Sequence, residues 1–273
     1  MDRMTMLGAA CIPQVPPERL REVARAAEDA GLDELWLWED CFWGGGVSTA
    51  SAVLAWTSRL RVGVGVLPVP LRNVALTAME AATLHRLFPG RVVVGVGHGV
   101  QDWMGQVGVR AGSPLTLLRE HLAALRALLG GERLTVHGRY VHLDDVELGW
   151  PPAGGAPAVF SAAAGPRTLR LSGELADGTV LDSVTTPGEL AAARELIDEG
   201  RAAAGRTDPH SLVVYRPAVP GDAAAVAETV RSWTLTGVET LVLHPTPDNP
   251  DPVGFVRFAA EQVRPLLGPE QEP

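Results

Sequence analysis

The hydrophobic positions of this 273-residue chain form short runs that alternate with longer amphipathic stretches from one end to the other. The short runs are apolar at both odd and even positions, which is typical of strands in a parallel sheet that is buried on both faces. Eight strands are therefore predicted, over residues 7–11, 34–38, 61–66, 91–96, 156–161, 178–182, 212–216 and 239–244.

The stretches between these strands repeat their apolar residues at the period of an α-helix. Eight helices are predicted, over residues 17–30, 48–58, 74–88, 114–129, 166–176, 187–204, 223–236 and 252–267. Eight strand–helix pairs fit either a closed (β/α)8 barrel or a doubly wound open sheet. The even number of pairs, their regular spacing and the length of the chain favour the α/β architecture of a TIM barrel.

One segment interrupts this alternation before the fifth strand. Residues 134–143 alternate polar and apolar side chains around Gly138, a pattern that predicts an inserted β-hairpin. The Gly- and Pro-rich residues 149–157 then lead back to the fifth strand. Because no linker is long enough to divide the chain, a single domain is predicted over residues 1–267, followed by a flexible tail over residues 268–273.

The composition excludes several classes of chemistry and of partner. All 23 basic residues are arginine, which excludes a lysine Schiff base and a lysine-containing phosphate loop. The net charge of −9 argues against nucleic acid as a partner, and two cysteines are too few for a disulfide framework. No apolar run approaches the ~18 residues of a membrane helix, and the start does not resemble a signal peptide. We therefore expect a cytoplasmic protein without membrane contact.

The carboxyl end of the predicted fifth strand offers a candidate phosphate site. In a parallel barrel the active site lies at the carboxyl ends of the strands. Here the fifth strand is followed by Ala164, Gly165, Pro166 and Arg167. Small residues let the backbone approach a ligand closely, and the next helix presents free N–H groups and a partial positive charge. The alternative is an ordinary helix start that carries an exposed arginine.

The fourth strand ends at Gly97, His98 and Gly99. This G-x-G-x-G spacing is not a dinucleotide fingerprint, so the glycines indicate either close approach of a flat ligand or only a tight turn. His98 and His244 lie at strand ends, where a side chain can line a pocket. The other histidines are expected to be solvated: His85, His121, His137, His142 and His210. Since no set of histidines converges, no metal site is predicted.

The second strand ends at two carboxylates of opposite parity, Glu39 and Asp40, so only one can face the barrel axis. Asp40 has the parity of Trp36 and Trp38, which makes it the candidate acid, base or hydrogen-bond acceptor. The alternative is that Asp40 only caps a loop or helix. Cys41 beside it is either a small buried residue or a reactive thiol.

Four segments at these strand ends resemble the bacterial luciferase-like oxidoreductases. They are residues 39–43 (EDCFW), 61–68 (RVGVGVLP), 87–99 (LFPGRVVVGVGHG) and 165–178 (GPRTLRLSGELADG). The resemblance covers nearly the whole chain. Within the family, the chain is similar to the F420-dependent branch, which includes methylenetetrahydromethanopterin reductase. It implies a barrel that transfers a hydride between deazaflavin coenzyme F420 and a small organic substrate. The alternatives are an FMN-dependent monooxygenase and a flavin-binding barrel without catalysis.

The resemblance also implies roles for individual residues. A non-proline cis peptide between Gly65 and Val66 would lie behind the deazaflavin ring. The cofactor would also be bound by Asp40, Gly97, His98, Gly99, Ala164, Gly165, Pro166 and Arg167. The proton carriers would be Asp40 and His98, and the substrate would be enclosed by Cys41, Trp43 and Trp103. Several F420-dependent members have a histidine where this chain has Cys41, which counts against a histidine-based mechanism there. By analogy, a homodimer is expected.

Overall fold

The computed structural model describes residues 5–246 and 251–267, and within them eight parallel strands close into a barrel. The barrel strands are β1 (Met6–Cys11), β2 (Glu34–Leu37), β3 (Arg61–Pro68), β4 (Val92–Gly97), β7 (Val159–Ala162), β8 (Gly178–Leu181), β9 (Ser211–Ala218) and β10 (Thr240–Pro245). The sheet closes because β1 pairs with both β2 and β10. The (β/α)8 barrel predicted from the sequence is confirmed. The predicted tail, residues 268–273, lies outside the described residues.

Helices follow the strands and cover the outside of the barrel. They are α1 (Leu20–Asp29), α2 (Gly46–Trp56), α3 (Val74–Leu87), α4 (Gln101–Gln106), α5 (Pro114–Leu129), α6 (Pro166–Leu175), α7 (Pro187–Ala203), α8 (Ala223–Thr234) and α9 (Pro252–Arg257). The last helix continues as a π-helix over Phe258–Val263. Helix α4 was not predicted, because six residues are too few to show a helical period. None of the described helices is long and apolar enough to span a membrane.

The hairpin inserted before the fifth barrel strand is also confirmed. Strands β5 (Leu134–His137) and β6 (His142–Val146) pair in antiparallel orientation. The carboxylate of Glu120, on α5, accepts the backbone N–H groups of Tyr140 and Val141 at 2.8 and 3.0 Å, which ties the hairpin turn to the barrel. A Cβ at Gly138 would lie 2.5 Å from the Glu120 carboxylate, so a side chain there would displace the carboxylate that holds the turn.

The barrel interior is filled below its mouth by two aromatic side chains. Trp36 is completely buried, and its ring meets that of Tyr215 edge to face with centroids 5.9 Å apart. Gly63 gives Trp36 its space, because a Cβ at residue 63 would lie 2.4 Å from the indole ring. The indole nitrogen of Trp36 donates to the buried carboxylate of Glu34 at 2.8 Å. This packing closes the lower part of the barrel and leaves the carboxyl ends of the strands open for a site.

Candidate active site

A pocket of about 540 Å³ lies at the carboxyl ends of the strands. Four of its walls come from segments predicted to carry chemistry, residues 39–40, 65–66, 97–99 and 164–165. The barrel brings these segments together because the carboxyl ends of parallel strands share one end of the fold. Asp40, the Gly65–Val66 bend and the turn before α6 therefore face one shared space.

The floor of this pocket is formed by an irregular part of β3. The Gly65–Val66 peptide bond is cis, as the resemblance implied, and the register between β3 and β4 shifts between Val64 and Leu67. The side chain of Val66 lies over β4, where a Cβ on Gly97 would lie 2.8 Å from it. Gly97 is thus needed to accommodate Val66, a reason that the sequence did not reveal. Gly99, with φ of +66°, makes the turn that follows.

The end of β2 presents an aromatic and a carboxylate to the pocket. Trp38 packs against the rings of Tyr215 and His244, with centroids 5.4 Å away in both cases. Asp40 lines the same pocket, and burial raises the pKa of its carboxyl group above the ordinary value for aspartate. Trp38 and Asp40, which follow β2 two residues apart, thus both line the pocket, in agreement with their shared parity.

Glu39 has a structural role at the edge of the pocket. Its buried carboxylate forms a two-pronged ion pair with Arg72, in which Nη2 of Arg72 donates to Oε2 at 3.0 Å. The same oxygen accepts the backbone N–H of Gly46, the first residue of α2, at 2.5 Å. Arg72 also contacts Glu80 at 3.4 Å. The pair therefore joins the segment after β2 to the segment after β3, and sequence reasoning missed it.

The fifth barrel strand delivers a helix N-terminus to the pocket. Ala164, Gly165 and Thr168 line it, and Gly165 is the N-cap of α6 without any side-chain cap. A Cβ on Gly165 would meet no atom within 4 Å, so the space in front of the helix is open. Pro166 and Arg167 follow on the first turn, both exposed, and neither lines the pocket. The contact of Arg167 with a phosphate thus stays a prediction for a residue outside the pocket lining, whereas Thr168, which lines the pocket, was missed.

His98 is held at the pocket wall by Thr168. The ring nitrogen Nε2 lies 3.2 Å from the Thr168 hydroxyl. Burial lowers the pKa of His98, so the ring is neutral at neutral pH. Tyr215, which sequence reasoning missed, donates its hydroxyl to the carbonyl of Gly65 at 3.4 Å. Its place at the end of the seventh barrel strand was the signal that could have identified it.

The three predicted substrate residues lie in different places. Trp103, on α4, lines the pocket described above, whereas Trp43 lines a separate neighbouring pocket. Cys41 lines neither of these two pockets and is half-buried. Burial and the nearby carboxylates of Glu39 and Asp40 raise the pKa of the Cys41 thiol, which therefore stays protonated at neutral pH. Within residues 5–246 and 251–267, no three His, Cys, Asp or Glu side chains are grouped so as to hold a metal ion.

The expectation that five histidines are solvated was wrong for three of them. His85 and His210 are half-buried, while His121 is only 1% exposed. His121 lies on the apolar face of α5 between Leu118 and Leu122, and the helical period places it in the core. Burial, together with the nearby charge of Arg72, lowers the pKa of His121 to about 4.

The low pKa of His121 predicts a pH-dependent stability. The unfolded chain binds a proton at His121 near the ordinary pKa of 6.5, whereas the folded chain binds it only near 4. The stability that the folded chain gains from keeping His121 neutral is complete above pH 6.5 and is lost as the pH falls toward 4. From about pH 7 to about pH 5, the wild type should lose roughly 1–2 kcal/mol more unfolding free energy than His121→Gln.

Urea unfolding at both pH values measures this difference. His137→Gln, at an exposed position on the hairpin, is the matched control and should lose as much as the wild type. An equal loss in the wild type and in His121→Gln would show that His121 does not carry the effect.

Comparisons with known proteins identify the family. A sequence profile described as luciferase-like monooxygenase matches residues 4–266. Over 243 residues the chain is 31% identical to the 5,10-methylenetetrahydromethanopterin reductase of Methanolobus tindarius, an alignment that covers 86% of this chain and 73% of that enzyme. The match thus extends over nearly all of the barrel.

Two solved structures share the fold over their full length. The coenzyme F420-dependent tetrahydromethanopterin reductase of Methanopyrus kandleri has a TM-score of 0.83 at 18% identity, covering 96% of this chain and 99% of the other. An F420-dependent secondary alcohol dehydrogenase, in complex with an F420–acetone adduct, has a TM-score of 0.83 at 19% identity, covering 97% and 100%. At these identities the likeness shows the fold alone. From the profile match, this chain belongs to the luciferase-like monooxygenase family.

Proposed function

We propose that this chain is an oxidoreductase that transfers a hydride between deazaflavin coenzyme F420 and a small organic substrate. The observation that carries the proposal is the convergence in one pocket of a half-buried carboxyl group, the Gly65–Val66 floor and the amino end of α6. The choice of cofactor is supported by the 31% identity to a 5,10-methylenetetrahydromethanopterin reductase, a member of the F420-dependent branch that the sequence resembles.

The residues of the pocket fit a planar ring that carries a phosphate. Val66 and Gly97 offer a small apolar surface on which a ring can lie flat. Gly165 gives α6 no side-chain cap. Pro166 carries no N–H, and the N–H of Thr168 already donates to the carbonyl of Gly165 at 3.0 Å, so the backbone N–H of Arg167 is the donor of the first turn that suits a phosphate. Since the chain has no lysine, this helix terminus is the positive element that the pocket itself provides.

Bound F420 supplies the hydride chemistry, while the protein supplies orientation, a proton and exclusion of water. Asp40 holds a proton on its carboxyl group more readily than an exposed aspartate, because burial disfavours the charged form. His98 is the second proton carrier, with its ring oriented by Thr168. Trp38 and Trp103 form apolar walls that keep water from the reacting atoms.

The alternative function is an FMN-dependent monooxygenase, which the description of the family favours. The floor and the helix terminus suit a flavin with a phosphate equally well. Oxygen separates the two functions, because reduced FMN reacts readily with oxygen and a reduced deazaflavin reacts poorly. Stopped-flow mixing of the reduced complex with oxygen therefore distinguishes them.

An absorbance titration of the purified protein with F420 and with FMN tests the proposal. We expect tight, saturable binding of F420 and weaker binding of FMN. Tight binding of FMN alone would favour the monooxygenase, whereas binding of neither would overturn the proposed function.

Replacing Asp40 with asparagine tests the role of the carboxyl group. Hydride transfer should slow by roughly 10²–10⁴-fold, the usual contribution of a positioned acid or base. The carboxyl group can also be tested without any substrate, by recording the absorbance spectrum of the bound cofactor as a function of pH. In the wild type it should titrate above the ordinary aspartate pKa of ~3.9, and Asp40→Asn should abolish that transition. A transition that persists in Asp40→Asn would assign it to another group.

We also propose that the chain forms a homodimer, as the resemblance implied. Leu76 and Met79 are exposed on successive turns of α3, with 45% and 58% of their surface accessible. These side chains offer apolar surface for a second copy.

A further inference from the structure

A second pocket lies beside the candidate active site and has a different chemical character. It has a volume of about 380 Å³ and lies between the loop after β1, the end of β2 and the start of α2. None of its described lining residues carries a charge. Its walls are mainly aliphatic and aromatic, including Val15, Leu20, Leu37 and Trp43. The volume lies in the lower part of the usual range for small-molecule sites, about 300–1,000 Å³.

The polar atoms of this pocket offer little to a charged ligand. The hydroxyl of Thr49 already donates to the carbonyl of Gly45 at 2.9 Å. Burial raises the pKa of the Cys11 thiol to about 12, so it stays neutral. Gln14 contributes one amide and no charge. A carboxylate bound here would therefore lose its hydration without gaining a cationic partner, which is costly.

Trp38 is shared by this pocket and the candidate active site, because it lines both. On the active-site side the ring packs against Tyr215 and His244. Trp43, which is 61% exposed, covers part of the outer side of the apolar pocket. The apolar pocket and the pocket that contains Asp40 therefore adjoin at Trp38.

We propose that this apolar pocket binds the aliphatic or aromatic portion of an uncharged substrate whose reacting carbon lies in the cofactor pocket. The assignment of this portion to a substrate rests on the proposed function. The binding preference of the pocket itself rests only on its lining and can be measured without any cofactor.

Straight-chain alcohols measure the preference directly. The affinities of n-butanol, n-hexanol and n-octanol are determined by displacement of a neutral naphthylamine dye from the purified protein. Each added methylene should lower Kd about three- to fourfold, the value expected for burying one such group. Octanoate should bind at least about tenfold more weakly than n-octanol, since no cation lines the pocket. Affinity independent of chain length, or equal affinity for octanoate, would overturn the proposal.

Two variants fill the pocket from opposite walls. Val15→Trp acts from the loop after β1, and Thr49→Phe acts from the first turn of α2. Each should weaken n-octanol binding at least about tenfold without changing the absorbance titration with F420. Val219→Trp introduces the same ring at an exposed valine, 64% accessible and outside both pockets, and should change neither measurement. Undiminished n-octanol binding in both folded filling variants would place the alcohol elsewhere and overturn the proposal.

The two proposals fail in different ways. If the alcohol series behaves as expected but F420 and FMN do not bind, the proposed function is wrong and the occupant is not a redox substrate. If F420 binds but the alcohols show no chain-length dependence, only the apolar pocket has been misassigned. If both proposals are correct, n-octanol should compete with the substrate in the F420-loaded enzyme. Val15→Trp should then raise KM more than it lowers kcat.

Discussion

Replacing Gly165 with aspartate is expected to weaken binding of a phosphate-bearing cofactor about tenfold to hundredfold without harming the fold. Gly165 is the N-cap of α6, with φ of −83° and ψ of 156°, a conformation that aspartate adopts readily. Aspartate is also among the preferred N-cap residues. Its carboxylate would lie where the cofactor phosphate is proposed to bind. Repulsion between the two anions should amount to roughly 1.5–3 kcal/mol in this partly solvated site.

The matched controls separate charge from shape. Gly165→Asn has nearly the same size and also caps a helix, but it carries no charge, so it should retain most of the affinity. Riboflavin, which lacks the phosphate, should bind wild type and Gly165→Asp equally well. Calorimetric titration of the wild type, Gly165→Asp and Gly165→Asn with F420, FMN and riboflavin measures these affinities. If Gly165→Asp bound F420 and FMN as tightly as the wild type, the phosphate would not lie at α6.

Replacing Arg72 with methionine should cost about 3–5 kcal/mol of unfolding free energy, the largest loss of stability expected of any single change considered. The substitution leaves the carboxylate of Glu39 buried without its cation, since the side chain of Glu39 is only 8% exposed. Charges left unpaired away from water are strongly destabilising. Because Glu39 also accepts the N–H of Gly46, the segment that carries Asp40 should become less ordered as well.

Two further variants make this prediction specific. The double variant Glu39→Gln with Arg72→Met removes both charges and should recover much of the lost stability. Arg133→Met breaks ion pairs to Asp145 and Glu147 on the hairpin, where the arginine side chain is 54% exposed, and should cost less than about 1 kcal/mol. Urea unfolding of Arg72→Met, the double variant and Arg133→Met compares their unfolding free energies with that of the wild type. A loss for Arg72→Met no larger than that for Arg133→Met would show that the buried pair contributes little.

The candidate active site lies beside a pocket of different polarity. The pocket with Asp40 combines polar groups with a helix terminus, whereas the pocket beyond Trp38 is lined without charge. Trp38 lines both pockets, and in the proposed binding mode the apolar part of a substrate would orient it while its reacting carbon stays among the polar groups. Binding energy from a part of the substrate that does not react can then be used to position the part that does.

Much of the fold could be predicted from local patterns. Buried strands and amphipathic helices were recognised as segments of about five to eighteen residues, and their number and order left only two architectures. The parity of Asp40, three residues after the end of β2, was likewise a local property, and the structure places that residue in the pocket. The short helix α4 escaped prediction, since its six residues, Gln101–Gln106, carry no measurable period.

The pairings within the site were decided only by the tertiary structure. Arg72 and Glu39 are 33 residues apart, and Tyr215 and Gly65 are 150 residues apart. Which side chains meet across the barrel depends on how its strands are staggered, and no local pattern encodes that stagger. The sequence by itself determined the barrel and the end at which its chemistry would lie, because buried periodicity is a local signal. Closure of the barrel decided that Glu39 is paired with Arg72 and that Arg167 is exposed outside the pocket lining, because these depend on contacts between distant segments.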